Sequence, residues 1–453
     1  MKIFRLLLTH DLSRALEELT KNHLTVYNLY KSYLYSINNF ISIMLTPFII
    51  MFYLFTSNVL AQEVNVTVGA DILIADSIHL IRNKNLGIVT NHSAILSNGT
   101  HLVDTLTTFY DLKITILFGP EHGIRGNAPD GESIKDGIDS KTGLPVYSLY
   151  GKTRKPTKEM LKDVDLLIFD IQDIGARFYT YISTLHYILI SAAESDIPII
   201  VLDRPNPING VLVDGPIRTE AYKSFVAIAP IPIQHGMTIC ELAIMFNEEN
   251  WLDNGLKADL TVIRMDGWKR EYFFDDCNLP WLAPSPNIPR LETAIIYPGM
   301  CLIEGVNVSE GRGTYSPFLK IGAPYIDSDD LLKTLNTFEH SEIELKKIKF
   351  TPKSIPNMST YPKYKNIECS GIEVKIIERE KLNALRFGIE ILYSIHKLYP
   401  NDFEFRKNYL DKLFGNKNLS NMLKSNSSPN QIFETWEIEL EDFKNLREKY
   451  LLY

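Results

Sequence analysis

Residues 164–170 read VDLLIFD, an almost uninterrupted apolar run that ends in a carboxylate. Similar runs recur along the chain as far as residue 265, and amphipathic segments separate them. The predicted strands are Leu86–Thr90, Lys113–Phe118, Val164–Asp170, Ile197–Asp203 and Leu260–Met265. The predicted helices are His101–Tyr110, Thr157–Asp163, Thr180–Ser195 and Thr238–Trp251. Strands rich in Ile, Val and Leu that alternate with helices indicate a parallel sheet covered on both faces. The predicted fold class is α/β, with a Rossmann-like, doubly wound sheet.

The pattern changes after the proline-rich stretch Pro280–Pro298, which is predicted to be an ordered loop. We expect a Rossmann-like domain over residues 62–297 and a smaller α+β domain over residues 298–453 that completes a cleft. In the second domain the predicted strands are Leu345–Phe350 and Gly371–Ile377, and the predicted helices are Ser328–Phe338, Asn383–Tyr399 and Asp442–Tyr450. The Asn- and Ser-rich stretch Asn416–Asn430 is expected to be a surface loop.

Residues 1–61 are predicted to be a leader. Residues 41–55 read ISIMLTPFIIMFYLF, and Ala61 stands at a suitable signal-peptidase position. An apolar run followed by a short polar segment indicates a secretory signal. An uncleaved membrane anchor is the alternative, although the run is slightly short for one. Residues 1–39 are an unusual prefix, which favours a later start such as Met44. We expect an exported protein, periplasmic or extracellular, with membrane contact only through an uncleaved leader.

Composition excludes several classes of protein. A chain of 453 residues exceeds what one core organises, and 45% apolar with 23% charged residues is typical of globular proteins. The net charge of −8 without a basic block argues against a nucleic-acid partner. The four cysteines lack CxxC spacing and are expected to be buried thiols, with one disulfide as the alternative. Oligomeric state stays open.

Cofactor and metal chemistry also lack their usual motifs. The glycines between Gly119 and Gly126 do not match the dinucleotide fingerprint, and no Walker A lysine motif is present. Neither HExxH nor the G-x-S-x-G elbow occurs, and the histidines are scattered. We therefore expect no bound cofactor and no metal ion.

Candidate site residues follow the predicted strands, where ligands bind in open α/β sheets. The segment FGPEHGIRG places Glu121, His122 and Arg125 in a glycine-rich turn, with Glu121 as an acid or base and Arg125 as an anion clamp. A plain turn with a salt bridge is the alternative. The segment after the strand at 164–170 adds further candidates, namely Asp170, Gln172, Asp173, Arg177, Tyr179 and Tyr181. Asp173 and Arg177 also have the spacing of an ordinary helical ion pair.

Later segments contribute a third group of candidates. Asn206 lies between two prolines that fix its backbone, His235 precedes a helix opened by a capping box of Thr238 and Glu241, and Asn287 lies in a rigid proline-rich turn. The glycine-rich segment at the start of the second domain supplies the remaining candidates, which are Glu304, Asn307, Glu310 and Arg312. An inter-domain hinge is the alternative for that segment.

Carboxylates supported by Arg and Tyr in a cleft outside the cell are typical of glycoside hydrolysis, in which two carboxyl groups flank the acetal. The segments FGPEHGIRG, GLPVYSLYG, DLLIFDIQDIGARFYTYISTL, LDRPNP, APSPNIP and EGVNVSEGRGT together resemble the NamZ family of peptidoglycan exo-β-N-acetylmuramidases. The resemblance extends from about Asp71 to the end of the chain.

This resemblance implies an active site in the cleft between two domains and release of non-reducing-end N-acetylmuramic acid from peptidoglycan-derived muramyl saccharides. It also implies that Glu121 is the catalytic glutamate. For the second carboxylate we expect Asp170 or Glu310, and for the partner of the lactyl carboxylate Arg125, Arg177 or Arg312. A non-catalytic peptidoglycan-binding envelope protein and a metal-dependent hydrolase are the alternatives. The sequence does not distinguish retention from inversion of the anomeric configuration.

Overall fold

The structure is a computed structural model that describes residues 65–126, 136–151 and 153–453, together with a few positions between residues 20 and 32. The chain divides into two compact units, Met1–Glu63 and Val64–Tyr453. The apolar run at residues 41–55 and the predicted cleavage site at Ala61 lie outside the described residues. Among the residues that are described, no helix is both long and apolar enough to cross a lipid bilayer.

Among the described residues of the second unit, seven strands form one sheet. They are β1 Asn85–Thr90, β2 Lys113–Gly119, β3 Gly137–Ile138, β4 Pro145–Ser148, β5 Leu166–Asp170, β6 Ile199–Leu202 and β7 Leu260–Ile263. Their order is β3-β4-β2-β1-β5-β6-β7, and every neighbouring pair is parallel except β3 with β4. The chain runs outward from β1 on one side and then from β5 on the other. The predicted doubly wound sheet is confirmed, whereas β3 and β4 were not predicted.

Helices cover both faces of this sheet. They are α1 Gly69–Ala75, α2 Leu102–Leu106, α3 Lys158–Leu161, α4 Tyr181–Ser195 and α5 Ile239–Glu248. Along β5, Leu167 and Phe169 belong to the core that includes α4 and α5, whereas Leu166 and Ile168 belong to the core that includes α1 and α2. Because successive strand residues point to opposite faces, burial of both faces requires the uninterrupted apolar run at this strand.

The carboxy-terminal part contains a small antiparallel sheet of β8 Lys320–Ala323, β9 Ile343–Phe350 and β10 Cys369–Ile376 in the order β8-β10-β9. Its helices are α6 Leu291–Met300, α7 Ser328–Leu335, α8 Ala384–Leu398, α9 Tyr409–Phe414, α10 Asn418–Lys424, α11 Pro429–Glu434 and α12 Glu437–Arg447. Short 3₁₀ turns occur at Ile78–Leu80, Glu220–Tyr222, Asp253–Gly255, Phe274–Cys277, Cys301–Gly305 and Asn336–Phe338. An α+β arrangement was predicted for this part of the chain.

Two predicted loops are in fact partly helical. Helix α6 lies across the end of the stretch Pro280–Pro298, because its apolar residues are buried against α8. The two helices approach so closely that a Cβ on Gly299 would lie 1.8 Å from the carbonyl oxygen of Ala384. Within Asn416–Asn430, helix α10 forms and α11 begins, since their leucines, isoleucine and phenylalanine are buried. In both places tertiary packing outweighs the local composition.

The two parts of Val64–Tyr453 share one hydrophobic core, which includes residues from β5 and α4 as well as from α8 and α12. Helix α6 runs through the predicted domain boundary at 297/298, and the boundary itself stays a prediction. All four cysteines are buried and unpaired, as expected, and the alternative of a disulfide is excluded.

Candidate active site

A cavity of about 220 Å³ lies where the carboxyl edge of the large sheet meets the carboxy-terminal part. From the sheet side its wall includes Glu121, His122, Tyr150, Tyr179, Thr180 and Tyr181. From the other side it includes Tyr297, Cys301, Glu304, Arg312, Phe318 and Tyr409. Ligands of open α/β sheets bind beyond the carboxyl ends of the strands, and the cavity lies at this predicted place. Aromatic rings and charged groups line it.

Glu121 comes from the turn that follows β2. Strand β2 ends at Gly119, and His122 and Gly123 have φ angles of 71° and 73°, so the backbone turns sharply through the left-handed region. Gly126 packs so tightly that a Cβ there would lie 2.6 Å from the imidazole of His92. This geometry explains why the segment needs its glycines, and it places the Glu121 carboxyl group at the cavity.

The carboxyl group of Glu121 accepts a hydrogen bond of 3.1 Å from the hydroxyl of Thr180, the residue before helix α4. That hydroxyl makes no hydrogen bond that caps the helix. The site therefore uses Thr180 to orient the glutamate at the junction of β5 and α4.

Tyr179 and Tyr181 lie beside this glutamate. Their rings meet edge to face with centroids 4.9 Å apart, and the hydroxyl of Tyr181 donates to the carbonyl oxygen of Pro284 at 2.8 Å. Burial raises the pKa of both phenols, and the negative charge of Glu121 raises it further. The hydroxyl of Tyr179 is buried and has no hydrogen-bond partner among the described residues. It is therefore available to a ligand in the cavity.

The carboxy-terminal part contributes a charged pair to the wall. Arg312 Nη2 lies 2.8 Å from Glu304 Oε1, and the hydroxyl of Tyr409 donates to Glu304 Oε2 at 3.3 Å. The guanidinium of Arg312 also lies over the ring of Phe318, 5.2 Å from its centroid. Glu304 and Arg312 are two of the predicted substrate-binding residues, and both reach the wall.

Asn287 completes the polar part of the lining. Its amide nitrogen donates to the carbonyl oxygen of Met358 at 2.9 Å, while its Oδ1 is buried without a partner among the described residues. An unpaired buried acceptor is costly in an empty site, and it suits a ligand that presents an N–H or O–H group.

The two carboxylates expected to assist Glu121 lie elsewhere. Asp170, at the end of β5, is fully buried and accepts from Nε and Nη2 of Arg204 at 2.6 and 2.9 Å. Glu310 is buried beside Lys363 Nζ, 3.0 Å away, and Arg312 Nε, 3.6 Å away, and these cations outweigh burial and lower its pKa. Neither residue is part of the cavity wall.

Two of the three candidate arginines are also engaged outside the cavity. Arg125 forms ion pairs with Asp104 and Asp139 at 2.8 and 2.6 Å, and its hydrogen bond lowers the pKa of Asp139. These ion pairs match the alternative interpretation of this segment, a plain turn with a salt bridge. Arg177 is buried and donates to four backbone carbonyl groups, so the helical ion pair with Asp173 does not form.

Three further candidates, Gln172, Asn206 and Asn307, form hydrogen bonds with backbone carbonyl groups. Gln172 donates to the carbonyl of Pro205, and Asn206 to that of Met237. Asn307 accepts from Tyr325 and donates to the carbonyl of Asp402. These three side chains do not line the cavity.

Asp173 and His235 are buried with Oδ2 and Nε2 3.9 Å apart. Burial raises the pKa of Asp173 to about 7 and lowers the pKa of His235 to about 3. Neither of them lines the cavity. The predicted capping box of Thr238 and Glu241 is present, and Glu241 also contacts Arg270.

Sequence reasoning missed several wall residues. Thr180 and Tyr150 lie inside quoted motifs and could have been named from them. Tyr297, Phe318 and Tyr409 gave no local signal, because only packing of the carboxy-terminal part brings them to the sheet edge. Among the described residues, no group of three or more His, Cys, Asp or Glu side chains could hold a metal ion.

Both halves of the chain match models of one protein family. Residues 86–292 match the family described as exo-beta-N-acetylmuramidase NamZ, N-terminal, and residues 295–453 match its C-terminal counterpart. The peptidoglycan beta-N-acetylmuramidase NamZ of Bacillus subtilis is 45% identical over 399 residues, covering 88% of this chain and 94% of the relative.

Two crystal structures of DUF1343 family proteins from Bacteroides fragilis are similar in fold. Their TM-scores are 0.79 and 0.70, with 33% and 35% sequence identity. Each comparison covers 86% of this chain and 99% of the solved chain.

Proposed function

The chain belongs to the NamZ family of exo-β-N-acetylmuramidases, and we propose from this that it is an exo-acting glycoside hydrolase of peptidoglycan fragments. It releases N-acetylmuramic acid from the non-reducing end, a step of cell-wall turnover. The observation that carries the proposal is the position of Glu121, which stands on the wall of a cavity and is oriented by Thr180.

The size of the cavity supports exo action. A hollow of about 220 Å³ suits one sugar ring with its substituents rather than the interior of a glycan chain. Aromatic rings offer faces for the ring, while the unpaired groups of Tyr179 and Asn287 offer an O–H donor and a carbonyl acceptor. A terminal N-acetylated sugar presents hydroxyl and amide groups that match both.

Glu121 acts as the general acid in this proposal. It delivers a proton to the glycosidic oxygen while the bond from that oxygen to the anomeric carbon breaks, and the electron pair stays on the oxygen. Water then bonds to the anomeric carbon, and the proton that it releases restores the acid form of Glu121. The second wall carboxylate, Glu304, forms an ion pair with Arg312 at 2.8 Å, whereas the carboxyl group of Glu121 accepts from the hydroxyl of Thr180. The acid role accordingly falls to Glu121.

Arg312 pairs with the lactyl carboxylate that distinguishes muramic acid from glucosamine. Of the three arginines considered from the sequence, it is the one that contributes to the cavity wall. Its guanidinium already contacts Glu304, so a substrate carboxylate would share it.

The direct test is product release. The purified protein is incubated with a disaccharide of N-acetylmuramic acid linked to N-acetylglucosamine, and the two free sugars are quantified by mass spectrometry. Equimolar release supports the hydrolase. Saturable binding by calorimetry without any product would instead identify a peptidoglycan-binding envelope protein. Activity that EDTA abolishes would identify a metal-dependent hydrolase.

We further propose that the protein works outside the cytoplasm, where its substrate is found. The apolar run at residues 41–55 and the polar segment behind it support export. Cell fractionation with amino-terminal sequencing of the mature protein tests this. A chain that begins near Gln62 indicates a cleaved signal, recovery of the longer chain in membranes indicates an anchor, and recovery in the cytoplasm contradicts the proposal.

A further inference from the structure

The cavity wall holds two carboxylates among the residues that the structure describes, Glu121 and Glu304. Glycoside hydrolysis generally needs an acid and a second, ionised carboxylate near the anomeric carbon. Asp170 and Glu310 are held by cations away from this wall. Among the described residues, Glu304 is therefore the carboxylate that joins Glu121 on this wall.

Two donors fix the side chain of Glu304. Arg312 contacts Oε1 through Nη2 at 2.8 Å and through Nε at 3.3 Å, and the hydroxyl of Tyr409 donates to Oε2 at 3.3 Å. A guanidinium and a hydroxyl both stabilise the negative form of a carboxylate. Each oxygen of the carboxylate is therefore oriented by a donor.

The backbone that carries Glu304 is equally constrained. Residue 304 lies in the 3₁₀ turn Cys301–Gly305, which continues helix α6. Lys363 Nζ donates to the carbonyl groups of Ile303 and Val308, both at 2.8 Å, and Arg406 donates to the carbonyl of Glu304 at 3.0 Å. Lys363 and Arg406 therefore fix the backbone that carries the carboxylate, through hydrogen bonds to carbonyl groups and not to the carboxylate oxygens.

A chain of alternating charges supports the same group from behind. Lys363 contacts Glu310, Glu310 faces Arg312, and Arg312 contacts Glu304. Side chains of Glu304 and Arg312 are 14% and 17% exposed, whereas that of Glu310 is 3% exposed. The buried Glu310 thus lies next to Arg312, and the row of charges ends in Glu304 at the cavity wall.

The field of that charge extends over the wall. Burial is the first cause that raises the pKa of Tyr297, Cys301 and Tyr409. The negative charge of Glu304 raises the pKa of each of them further, and the positive charge of Arg312 lowers it in part. All three side chains line the cavity. A sugar in the cavity would therefore lie close to the charges of both Glu304 and Arg312.

We propose that Glu304 is the second catalytic carboxylate, which stabilises the positive charge that develops on the sugar ring. This rests on the proposed hydrolase function. As the glycosidic bond breaks, its electron pair leaves with the oxygen, which takes the proton of Glu121, and the ring carbon and ring oxygen share the positive charge. Glu304 stays unprotonated in this step and faces that charge.

The substitution Glu304→Gln tests the proposal, because it keeps shape and removes charge. We expect kcat to fall about 10²–10³-fold, the usual effect of removing one preorganised electrostatic group, with little change in KM. The loss should be equal on a chromogenic muramide and on the matching N-acetylglucosaminide. Glu292→Gln, at an exposed carboxylate on α6, is the matched control and should keep wild-type kcat.

A merely positioning role would give a different result. If Glu304 only orients Arg312, the substitution would lower the preference for muramide and leave kcat on the glucosaminide unchanged, which would overturn the proposal. Retention of more than a tenth of wild-type kcat on both substrates would also overturn it. Thermal unfolding of Glu304→Gln checks that the fold is kept, and Tyr409→Phe, which removes one donor, should lose roughly fivefold in kcat. An inactive wild type would contradict the hydrolase function itself, a separate outcome.

Discussion

Arg177 donates a hydrogen bond of 2.9 Å from Nη2 to the carbonyl oxygen of Leu413, in helix α9. The same nitrogen donates to Phe414 at 2.8 Å, and Nη1 donates to Pro216 and Ile231. Helix α9 also brings Tyr409 and Leu413 to the cavity wall. A residue expected to touch the substrate therefore connects the sheet to the helix that completes the site.

Replacing Arg177 by Met should destabilise the protein. Four carbonyl groups would lose a charged donor in a buried place, which corresponds to about 3–5 kcal/mol in the free energy of unfolding. Urea unfolding followed by circular dichroism measures the change. Arg82→Met, at a largely exposed ion pair with Asp111, should stay within about 1 kcal/mol of wild type. Equal stability of the two variants would refute the connecting role of Arg177.

Replacing Glu121 by Gln should abolish turnover while substrate binding stays close to wild type. The amide keeps the size of the side chain and can still accept from Thr180, but it has no proton to give. A loss of about 10²–10⁴-fold in kcat is typical for a general acid. Steady-state kinetics on a chromogenic muramide provide kcat, and calorimetry provides the affinity. Near-normal turnover by this variant would show that the acid is another group.

Replacing Arg312 by Met should reduce selectivity. Loss of one charge-assisted hydrogen bond to the lactyl group predicts a fall of about 10–100-fold in the ratio of kcat/KM for muramide over glucosaminide. Arg290→Met, at an exposed arginine before α6, is the control and should keep the ratio. A drop of the same size on both sugars, with the ratio preserved, would argue against the clamp role.

Stability should depend on pH through His340. Burial alone would lower its pKa, but ion pairs with Glu390 at 2.8 Å and Glu342 at 2.9 Å outweigh burial and raise it. A raised pKa in the folded state means that these pairs stabilise fully below the unfolded value of about 6.5 and are lost as pH rises through the folded value.

The variant His340→Gln should therefore be less stable than wild type at pH 5.5, with a smaller difference at pH 8.5. Thermal unfolding at both pH values measures it. His79→Gln, at an exposed histidine, should show no such trend. If the difference for His340→Gln grew with pH, the assignment of the ion pairs would be wrong.

Local patterns predicted the sheet well. Residues Leu166 to Phe169 alternate between two buried faces of the sheet. A strand that is buried on both faces must be apolar throughout, and this pattern can be recognised in the sequence without knowledge of the neighbouring strands. The PEHG turn could also be recognised in the sequence, because Gly123 and Gly126 have left-handed backbone conformations, which favour glycine. Helices α6 and α10 were not predicted, because the proline in the first and the Asn and Ser residues around the second are typical of loops.

Local sequence patterns did not predict which side chains from distant parts of the chain form pairs. Asp170 has the position of a catalytic carboxylate, yet Arg204 at the end of the neighbouring strand takes both of its oxygens. Glu304 appeared as one polar residue among several in a glycine-rich segment. Its contacts with Arg312 and Tyr409 depend on how α9 packs.

The amino-acid sequence by itself determined the parallel sheet, the glycine-rich turn with Glu121 and the family, because each depends on short stretches with their own backbone and burial requirements. The tertiary structure alone decided which charged groups reach the cavity. A carboxylate can act on a ligand only if the packing of distant elements brings it to the cavity wall, and that condition depends on contacts between residues far apart in the chain. Glu304 reaches the wall and Asp170 does not for this reason.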